Sequence, residues 1–169
     1  MIKALVLSLA VIAAALAAPA AGARAQAEPL PGAAAGTPDG VVRELYRVHN
    51  DGRGPLFEKR GRKWHEKFFD RKLADLIWKD LTETPEGEVG HIDFDPLYNA
   101  QDTQIKNFRV GAPDVRGDEA TVPVTFTNYA QKVKIDFRLV RTKDGWRISN
   151  IVYPDGDFLK ILSAPMSES

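Results

Sequence analysis

Residues 132–139 read Lys-Val-Lys-Ile-Asp-Phe-Arg-Leu, and this stretch decides the fold class. Apolar side chains occupy every second position from Val133 to Leu139, and charged side chains occupy the positions between them. Successive side chains of a β-strand point to opposite faces, so the alternation predicts an antiparallel strand with one buried face and one solvated face.

The segments on both sides of this strand have the same period of two. Residues 105–110 and 122–126 predict two earlier strands. Lys143-Asp144-Gly145 predicts a hairpin turn, in which the glycine can adopt a positive φ. A fourth strand is predicted from the apolar residues that follow: Trp146, Ile148, Ile151 and Val152. Pro123 cannot donate a ladder hydrogen bond, which predicts an edge or bulged position for it.

Helical spacing precedes and follows the predicted sheet. Thr37 is predicted to cap a first helix that starts at Pro38 and runs to about Asn50. Asp70 is predicted to cap a second helix that ends before Pro85. The segment between the two helices has no clear period and holds at most a short helical turn, and residues 158–162 predict a short C-terminal helix. Helices followed by a meander of about four strands, without βαβ alternation, indicate an α+β domain.

The first 27 residues are typical of a signal peptide. Lys3 precedes an apolar run over residues 4–18, and two small-x-small sites end at Ala25 and Ala27. The run is shorter than the ~20 apolar residues that a spanning helix needs, so we expect cleavage after Ala27 rather than a transmembrane anchor. This predicts a periplasmic or secreted protein with a flexible linker over 28–37, a folded domain over 38–163 and a disordered tail over 164–169.

Composition excludes several classes of protein. The chain has 169 residues and no cysteine, which is enough for one domain and rules out disulfides, thiolate metal sites and a cysteine nucleophile. Its 23 Lys+Arg balance 23 Asp+Glu, whereas a nucleic-acid-binding domain usually carries a basic excess. We therefore expect no nucleic-acid partner, and no motif predicts a cofactor or a metal site.

The order of elements resembles the nuclear transport factor 2-like (cystatin-like) superfamily over roughly residues 38–162. The loop Asp93-Phe94-Asp95-Pro96-Leu97-Tyr98-Asn99-Ala100-Gln101-Asp102 is similar to one in a bacterial exported family known as domain of unknown function 3828. The resemblance implies a bent sheet that wraps the helices into a cone with an open end. It implies no catalytic residue, because that family has no assigned activity. Some relatives resemble lipoproteins, and the absence of cysteine here implies a freely soluble form.

The same loop carries the first set of candidate site residues. It concentrates an imidazole, carboxylates, a phenol and an amide in residues 91–102, and the ligand-binding candidates are His91, Asp93, Tyr98, Gln101 and Asp102. Such groups could perform acid–base chemistry, bind a ligand, or fasten the loop by accepting backbone hydrogen bonds. An EF-hand is excluded, because Leu97 and Tyr98 stand where that motif needs an oxygen ligand and a glycine.

His49 lies on the apolar stripe of the first predicted helix. It is either a packing residue or, paired with Asp95 or Asp102 of the loop, the catalytic base of a small hydrolase or isomerase. A serine hydrolase is not predicted, because the domain lacks a Gly-x-Ser-x-Gly elbow.

Charge is distributed unevenly along the chain. Residues 53–72 contain eight cations and three acids, and residues 80–105 contain seven acids and no cation. The basic segment, centred on Arg60, Arg62, Lys63 and Lys67, could bind an anionic partner, form an ordinary solvated surface, or pair with the acidic segment. The charged outward row of the strand at 132–139 favours a monomer or a weak, polar dimer.

These patterns favour an exported, soluble, non-enzymatic protein that binds a ligand or a protein of the bacterial cell envelope. Two alternatives remain open. One is the hydrolase or isomerase that uses His49 with a loop carboxylate. The other is an immunity-type or inhibitor protein that blocks its partner through charged loops.

Overall fold

The computed structural model describes residues 36–165. The predicted signal peptide, most of the predicted linker and residues 166–169 of the predicted tail lie outside the described residues. No helix within residues 36–165 is long and apolar enough to cross a membrane.

The described residues form an α+β structure, with helices before and after an antiparallel sheet. In chain order the elements are α1 (Pro38–Asn50), α2 (Arg62–Glu66), α3 (Arg71–Glu83), β1 (Ile105–Val110), β2 (Asp114–Arg116), β3 (Glu119–Asn128), β4 (Gln131–Thr142), β5 (Gly145–Tyr153), β6 (Gly156–Asp157) and α4 (Phe158–Ser163). The fold class and the four main predicted strands are confirmed. That the sheet forms a cone stays a prediction.

Both predicted helix caps are present. The Thr37 hydroxyl accepts a hydrogen bond from the backbone N–H of Gly40 at 3.2 Å, and Pro38 follows as the first residue of α1. Asp70 accepts from the backbone N–H of Leu73 at 2.8 Å at the start of α3. Each cap satisfies a donor that the first helical turn leaves unpaired, which fixes where the helix begins.

The sheet contains six strands rather than the predicted four. Their order is β1-β3-β4-β5-β6, and β2 pairs with β3 beyond the end of β1. The two additional strands, β2 with three residues and β6 with two, are too short to produce a recognisable alternation. At the hairpin between β4 and β5, Gly145 has a φ of 100°, as the turn prediction requires.

Pro123 occupies the predicted bulged position inside β3. Val110 pairs with Val124 and Asp114 pairs with Thr121. The three residues between β1 and β2, 111–113, therefore stand opposite only two residues of β3, 122–123. The missing N–H of Pro123 therefore falls at an interruption between β1 and β2. Its carbonyl still accepts a hydrogen bond from the backbone N–H of Gly111 at 2.7 Å.

A second irregularity changes the phase of β5. Arg138 pairs with Asn150 whereas Leu139 pairs with Ile148, which leaves one extra residue in β5. As a result Ile151 and Tyr153 point into the core, and Val152, which the sequence assigns to the apolar side, lies only partly buried.

The core lies between the helices and one face of the sheet. Helix α1 packs against β1, β3 and β5, and α3 packs against β5 and α4. The completely buried side chains include Val124, Phe137 and Ile148 from three adjacent strands. Burial of this apolar surface is the main stabilising contribution, and the opposite face of the sheet is left to solvent.

Candidate functional site

The middle of the loop at residues 93–102 turns back into the core. The backbone N–H of Asp95 donates to the carbonyl of Ala100 at 2.8 Å, which closes a short loop. Inside it, the Asp95 carboxylate accepts from the backbone N–H of Leu97 at 2.9 Å. Pro96, Leu97 and Tyr98 are all buried, so this loop fills the space next to the sheet with its own side chains.

Three tyrosine hydroxyls hold this buried loop. Tyr46 of α1 donates to the carbonyl of Leu97 at 2.6 Å, and Tyr153 of β5 donates to the carbonyl of Pro96 at 3.0 Å. Tyr98 donates from the loop itself to the side chain of Asn50 at 2.9 Å. Burial raises the pKa of all three tyrosines above the ordinary value, so the hydroxyls stay protonated and remain donors.

The structure brings His49 and Asp95 together, as the dyad hypothesis requires. His49 Nε2 lies 2.8 Å from Asp95 Oδ2, with 8% of the His49 side chain and 21% of the Asp95 side chain exposed. An ionised carboxylate only accepts hydrogen bonds, so Nε2 is the donor in this pair and Nδ1 is the atom left for proton transfer.

His49 Nδ1, however, is enclosed. It is buried and has no hydrogen-bond partner within the described residues. A Cβ placed on Gly54 would lie 2.9 Å from the backbone Cα of His49 and 3.1 Å from Nδ1, so the chain at residue 54 lies directly against the imidazole. A general base must reach the proton that it removes. The pair therefore fits fastening of the loop to α1 better than it fits acid–base chemistry.

The remaining loop candidates are distributed over different places. Asp93 and Gln101 line a cleft of about 430 Å³ together with Asn99 and Asp155. Asp102 is exposed and its carboxylate makes no hydrogen bond within the described residues. The structure thus does not bring Asp102 to His49, and it does not place the Asp102 carboxylate on buried backbone donors.

Sequence reasoning missed the residue that fastens the end of this loop. Asn128, the last residue of β3, donates through its side chain to the backbone carbonyl of Asp102 at 3.1 Å. Its side-chain oxygen accepts from the backbone N–H of Gln104 at 2.8 Å. An asparagine at a strand end next to a turn is the only local signal, and nothing in the sequence connects it to a loop 24 residues earlier.

His91 has a carboxylate partner that the sequence did not indicate. Asp80, near the end of α3, accepts from His91 Nδ1 at 2.8 Å and from the backbone N–H groups of His91 and Ile92 at 2.8 and 3.1 Å. On the other side of the ring, His91 Nε2 lies 3.0 Å from the carbonyl of Ala164. Both ring nitrogens thus lie within hydrogen-bond distance of an oxygen, and His91 connects α3 to the chain after α4.

The cleft next to this histidine is mainly apolar. It measures about 470 Å³ and is bounded by Leu76, Leu162 and Pro165 besides Asp80 and His91. Asp80 already accepts three hydrogen bonds and both nitrogens of His91 are engaged, so these two side chains have few free positions for a ligand. The other polar residues that line the cleft are Lys79, Glu83, Thr84 and Ser163.

Half of the eight cations in the basic segment at 53–72 are paired with nearby acids, and Lys59, Lys63, Arg71 and Lys72 make no ion pair within the described residues. Arg60 pairs with Glu58, Arg62 pairs with Glu66 at 3.3 Å and also with Asp75. Lys67 lies 3.8 Å from Glu44 and 5.1 Å from the ring centre of Trp64. Only Lys63 of the four patch candidates has no ion pair within the described residues. The ion pairs that these residues make do not involve the acids of residues 80–105, so the alternative in which the two segments pair within one molecule is not seen.

Within residues 36–165 no group of three or more histidines and carboxylates could hold a metal ion. The two histidine–carboxylate pairs are separate, and each is completed by backbone groups.

Solved structures with partly similar chain paths come from two kinds of protein. A chain of the type VI native effector-immunity complex Tae3-Tai3 from Ralstonia pickettii has a TM-score of 0.46 and 20% identity, over 69% of this chain and 92% of that chain. The selenomethionine form of that complex gives 0.47 and 20%, over 70% and 97%. A phospholipid-binding protein from Ralstonia solanacearum gives 0.34 and 12%, over 72% and 68%. No protein-family model and no curated protein matches the sequence.

Proposed function

We propose that this chain is an exported, non-enzymatic accessory protein of the bacterial cell envelope that acts by binding another protein. Its domain is a nuclear transport factor 2-like cone of the exported family whose loop ends in Asn-Ala-Gln-Asp, and it works as a monomer or a weak dimer. Export is supported by residues 1–27, where an apolar run after Lys3 precedes small-residue cleavage sites.

One observation carries the non-enzymatic part of this proposal. Pro96 and Leu97 occupy the interior next to the sheet, and the hydroxyls of Tyr46 and Tyr153 hold their carbonyls at 2.6 and 3.0 Å. A small-molecule site in such a fold needs a concave, accessible pocket with converging polar groups. Here the polar groups that converge on the interior hold the loop, which favours recognition at the charged surface of the molecule.

A second function, that of a small hydrolase or isomerase, is favoured by the distance between His49 and Asp95. The 2.8 Å contact between His49 Nε2 and Asp95 is the geometry of a histidine oriented by a carboxylate, as in a small hydrolase or isomerase. This function requires the enclosed His49 Nδ1 to become accessible, for example by movement of the chain at Gly54.

Capture from the envelope tests the proposal. The full chain is expressed for export with a C-terminal affinity tag, cross-linked in the intact cell and purified from the periplasmic fraction. We expect a saturable complex with a defined protein, and an N-terminus at Glu28. Recovery of the chain in the cytoplasm with residues 1–27 attached would contradict export. Inhibition of the captured partner's activity would identify the inhibitor type of accessory protein.

Variants of the histidine separate binding from catalysis. His49→Gln removes the imidazole and retains a side-chain amide that can donate to Asp95. We expect the captured complex to form at an unchanged level. His91→Gln is a matched control, because it removes a histidine from the other carboxylate pair. If His49→Gln abolished a turnover that the wild type and His91→Gln both perform, the proposal would be wrong and the enzymatic function correct.

A further inference from the structure

The face of the sheet opposite the helices carries cations from two strands in matching rows. Lys106 of β1 pairs in register with Thr127 of β3, and Arg109 pairs with Thr125. These two cations are three residues apart, so in a regular strand they would point to opposite faces. The register shift between them, at Asn107 with a φ of 54°, turns both outward.

Strand β4 continues the same rows on the other side of β3. Thr127 pairs with Lys132, Thr125 with Lys134, and Thr121 with Arg138. Thr125 and Thr127 of β3 are therefore flanked by cations on both sides, whereas Thr121 lies between Arg138 and Asp114. By the same register, Glu119 and Asp136 are acids on this face. We call this surface the basic sheet face, and its cations are Lys106, Arg109, Lys132, Lys134 and Arg138.

Most of these cations have no acidic partner. Lys134 lies 2.9 Å from Asp136 on the same strand. The other four cations make no ion pair within residues 36–165, and all of them are exposed: Lys106, Arg109, Lys132 and Arg138. The basic segment at 53–72 also has four cations without an ion pair within the described residues, but they are divided between α2, the start of α3 and the loop before α2. Among the described residues, the cations without an ion pair that stand in rows on one surface are therefore those of the sheet.

The spacing of the face suits a row of carboxylates. Alternate residues of a strand are about 6.6 Å apart and neighbouring strands about 4.8 Å apart, so the five cations occupy roughly 10 by 20 Å. Acidic side chains four residues apart on a helix are about 6 Å apart. Like charges this close repel each other, so an acidic surface laid against this face would relieve that repulsion.

We propose that the basic sheet face is the docking site for an acidic protein surface; the inference rests on the protein-binding function proposed above and adds the surface and the partner's chemistry. A second copy of this chain is a poor partner, because two such faces would bring together two surfaces on which cations outnumber acids. A membrane is also a poor partner, because the threonines between the cations offer no large apolar side chain for insertion.

The test uses a fluorescein-labelled poly-L-glutamate peptide as the acidic probe, and anisotropy as the readout, with the full chain purified after export. The face variant is Arg109→Gln/Lys132→Gln/Arg138→Gln. The matched control is Lys59→Gln/Lys63→Gln/Arg71→Gln, which removes the same charge from exposed residues that make no ion pair within the described residues. We expect about a tenfold weaker Kd for the face variant and less than twofold for the control, from the usual strength of exposed ion pairs. The difference should shrink as salt is added.

Three results would overturn the inference. Equal weakening by both variants would mean that only net charge matters, and no weakening by the face variant would mean that the peptide binds elsewhere. Binding to phosphatidylglycerol vesicles through these residues, without binding to the peptide, would identify a membrane surface instead. If the face variant is not folded by circular dichroism, the single variants Lys132→Gln and Lys63→Gln give the same comparison.

The cross-linking experiment distinguishes this inference from the proposed function. A partner that is captured equally by wild type and face variant would leave the binding function intact and remove the basic sheet face. Specific peptide binding at the face, without any protein captured in the envelope, would remove the proposed function and leave the surface.

Discussion

Replacement of Tyr46 by phenylalanine tests whether the buried loop is held by its tyrosine contacts. The change removes one hydroxyl and leaves the ring in place against its aromatic neighbours, among them Phe137 with ring centres 5.8 Å apart. The carbonyl of Leu97 then loses the hydrogen bond that it accepts at 2.6 Å in a buried site.

The expected cost follows from that unsatisfied carbonyl. A buried acceptor without a partner costs about 1–3 kcal/mol, because water cannot replace the lost donor. Tyr153→Phe removes the neighbouring hydrogen bond, to the carbonyl of Pro96 at 3.0 Å, and should cost a similar amount. Both bonds hold one loop, so the double variant should cost less than the sum of the two single variants.

Urea unfolding followed by tryptophan fluorescence measures these differences. In a thermal melt of a domain of this size, each kcal/mol of lost stability should lower Tm by roughly 3–5 °C. Tyr129→Phe is the control, because Tyr129 is 56% exposed and its hydroxyl makes no hydrogen bond within the described residues. If Tyr46→Phe costs no more than Tyr129→Phe, the loop is not held in this way, and the main argument against an open site at His49 is lost.

Two further predictions concern the other histidines. Burial lowers the pKa of His65 below its ordinary value of 6.5, and backbone carbonyls of Gly61 and Pro55 oppose this only in part. The unfolded chain therefore binds the proton first as pH falls below about 6.5, so the free energy of unfolding should decrease from there until the folded pKa is passed. His65→Gln should flatten this decrease, which urea titrations at several pH values measure. An equally steep decrease in the variant would assign it to other groups. Asp80→Ala removes the acceptor of two backbone N–H groups and of His91, and should cost about 2–4 kcal/mol in urea unfolding; a cost below about 1 kcal/mol would show that water replaces the carboxylate.

The sequence correctly predicts the elements that depend on interactions between residues close together in the chain. Thr37 and Asp70 cap their helices because each side chain lies within three residues of the donor that it satisfies. The alternation over 132–139 reports burial on one face directly, and it correctly predicts β4. Pro123 lies at a bulge because it has no backbone N–H to donate to the neighbouring strand.

Features that depend on contacts between distant segments could not be predicted. Asp80 and His91 are eleven residues apart, and only the return of the chain after α3 brings them together. The extra residue near Ser149 changes which residues of β5 face the core, and a period of two cannot show it in advance. In β1, the bulge at Asn107 brings Arg109 to the same face as Lys106, so the basic sheet face was visible in the sequence only as the row on β4.

The two histidine–carboxylate pairs show why the second ring nitrogen matters more than the first. In both pairs the imidazole lies 2.8 Å from a carboxylate oxygen, which by distance alone fits a catalytic dyad. In His91 the other nitrogen is bonded to the carbonyl of Ala164, and in His49 it is enclosed against Gly54. Neither nitrogen can accept a proton from a substrate without a rearrangement of the chain beside it. The same two contacts instead join α1 to the buried loop and α3 to the end of α4, so their removal should be measured first as a loss of stability and not as a loss of activity.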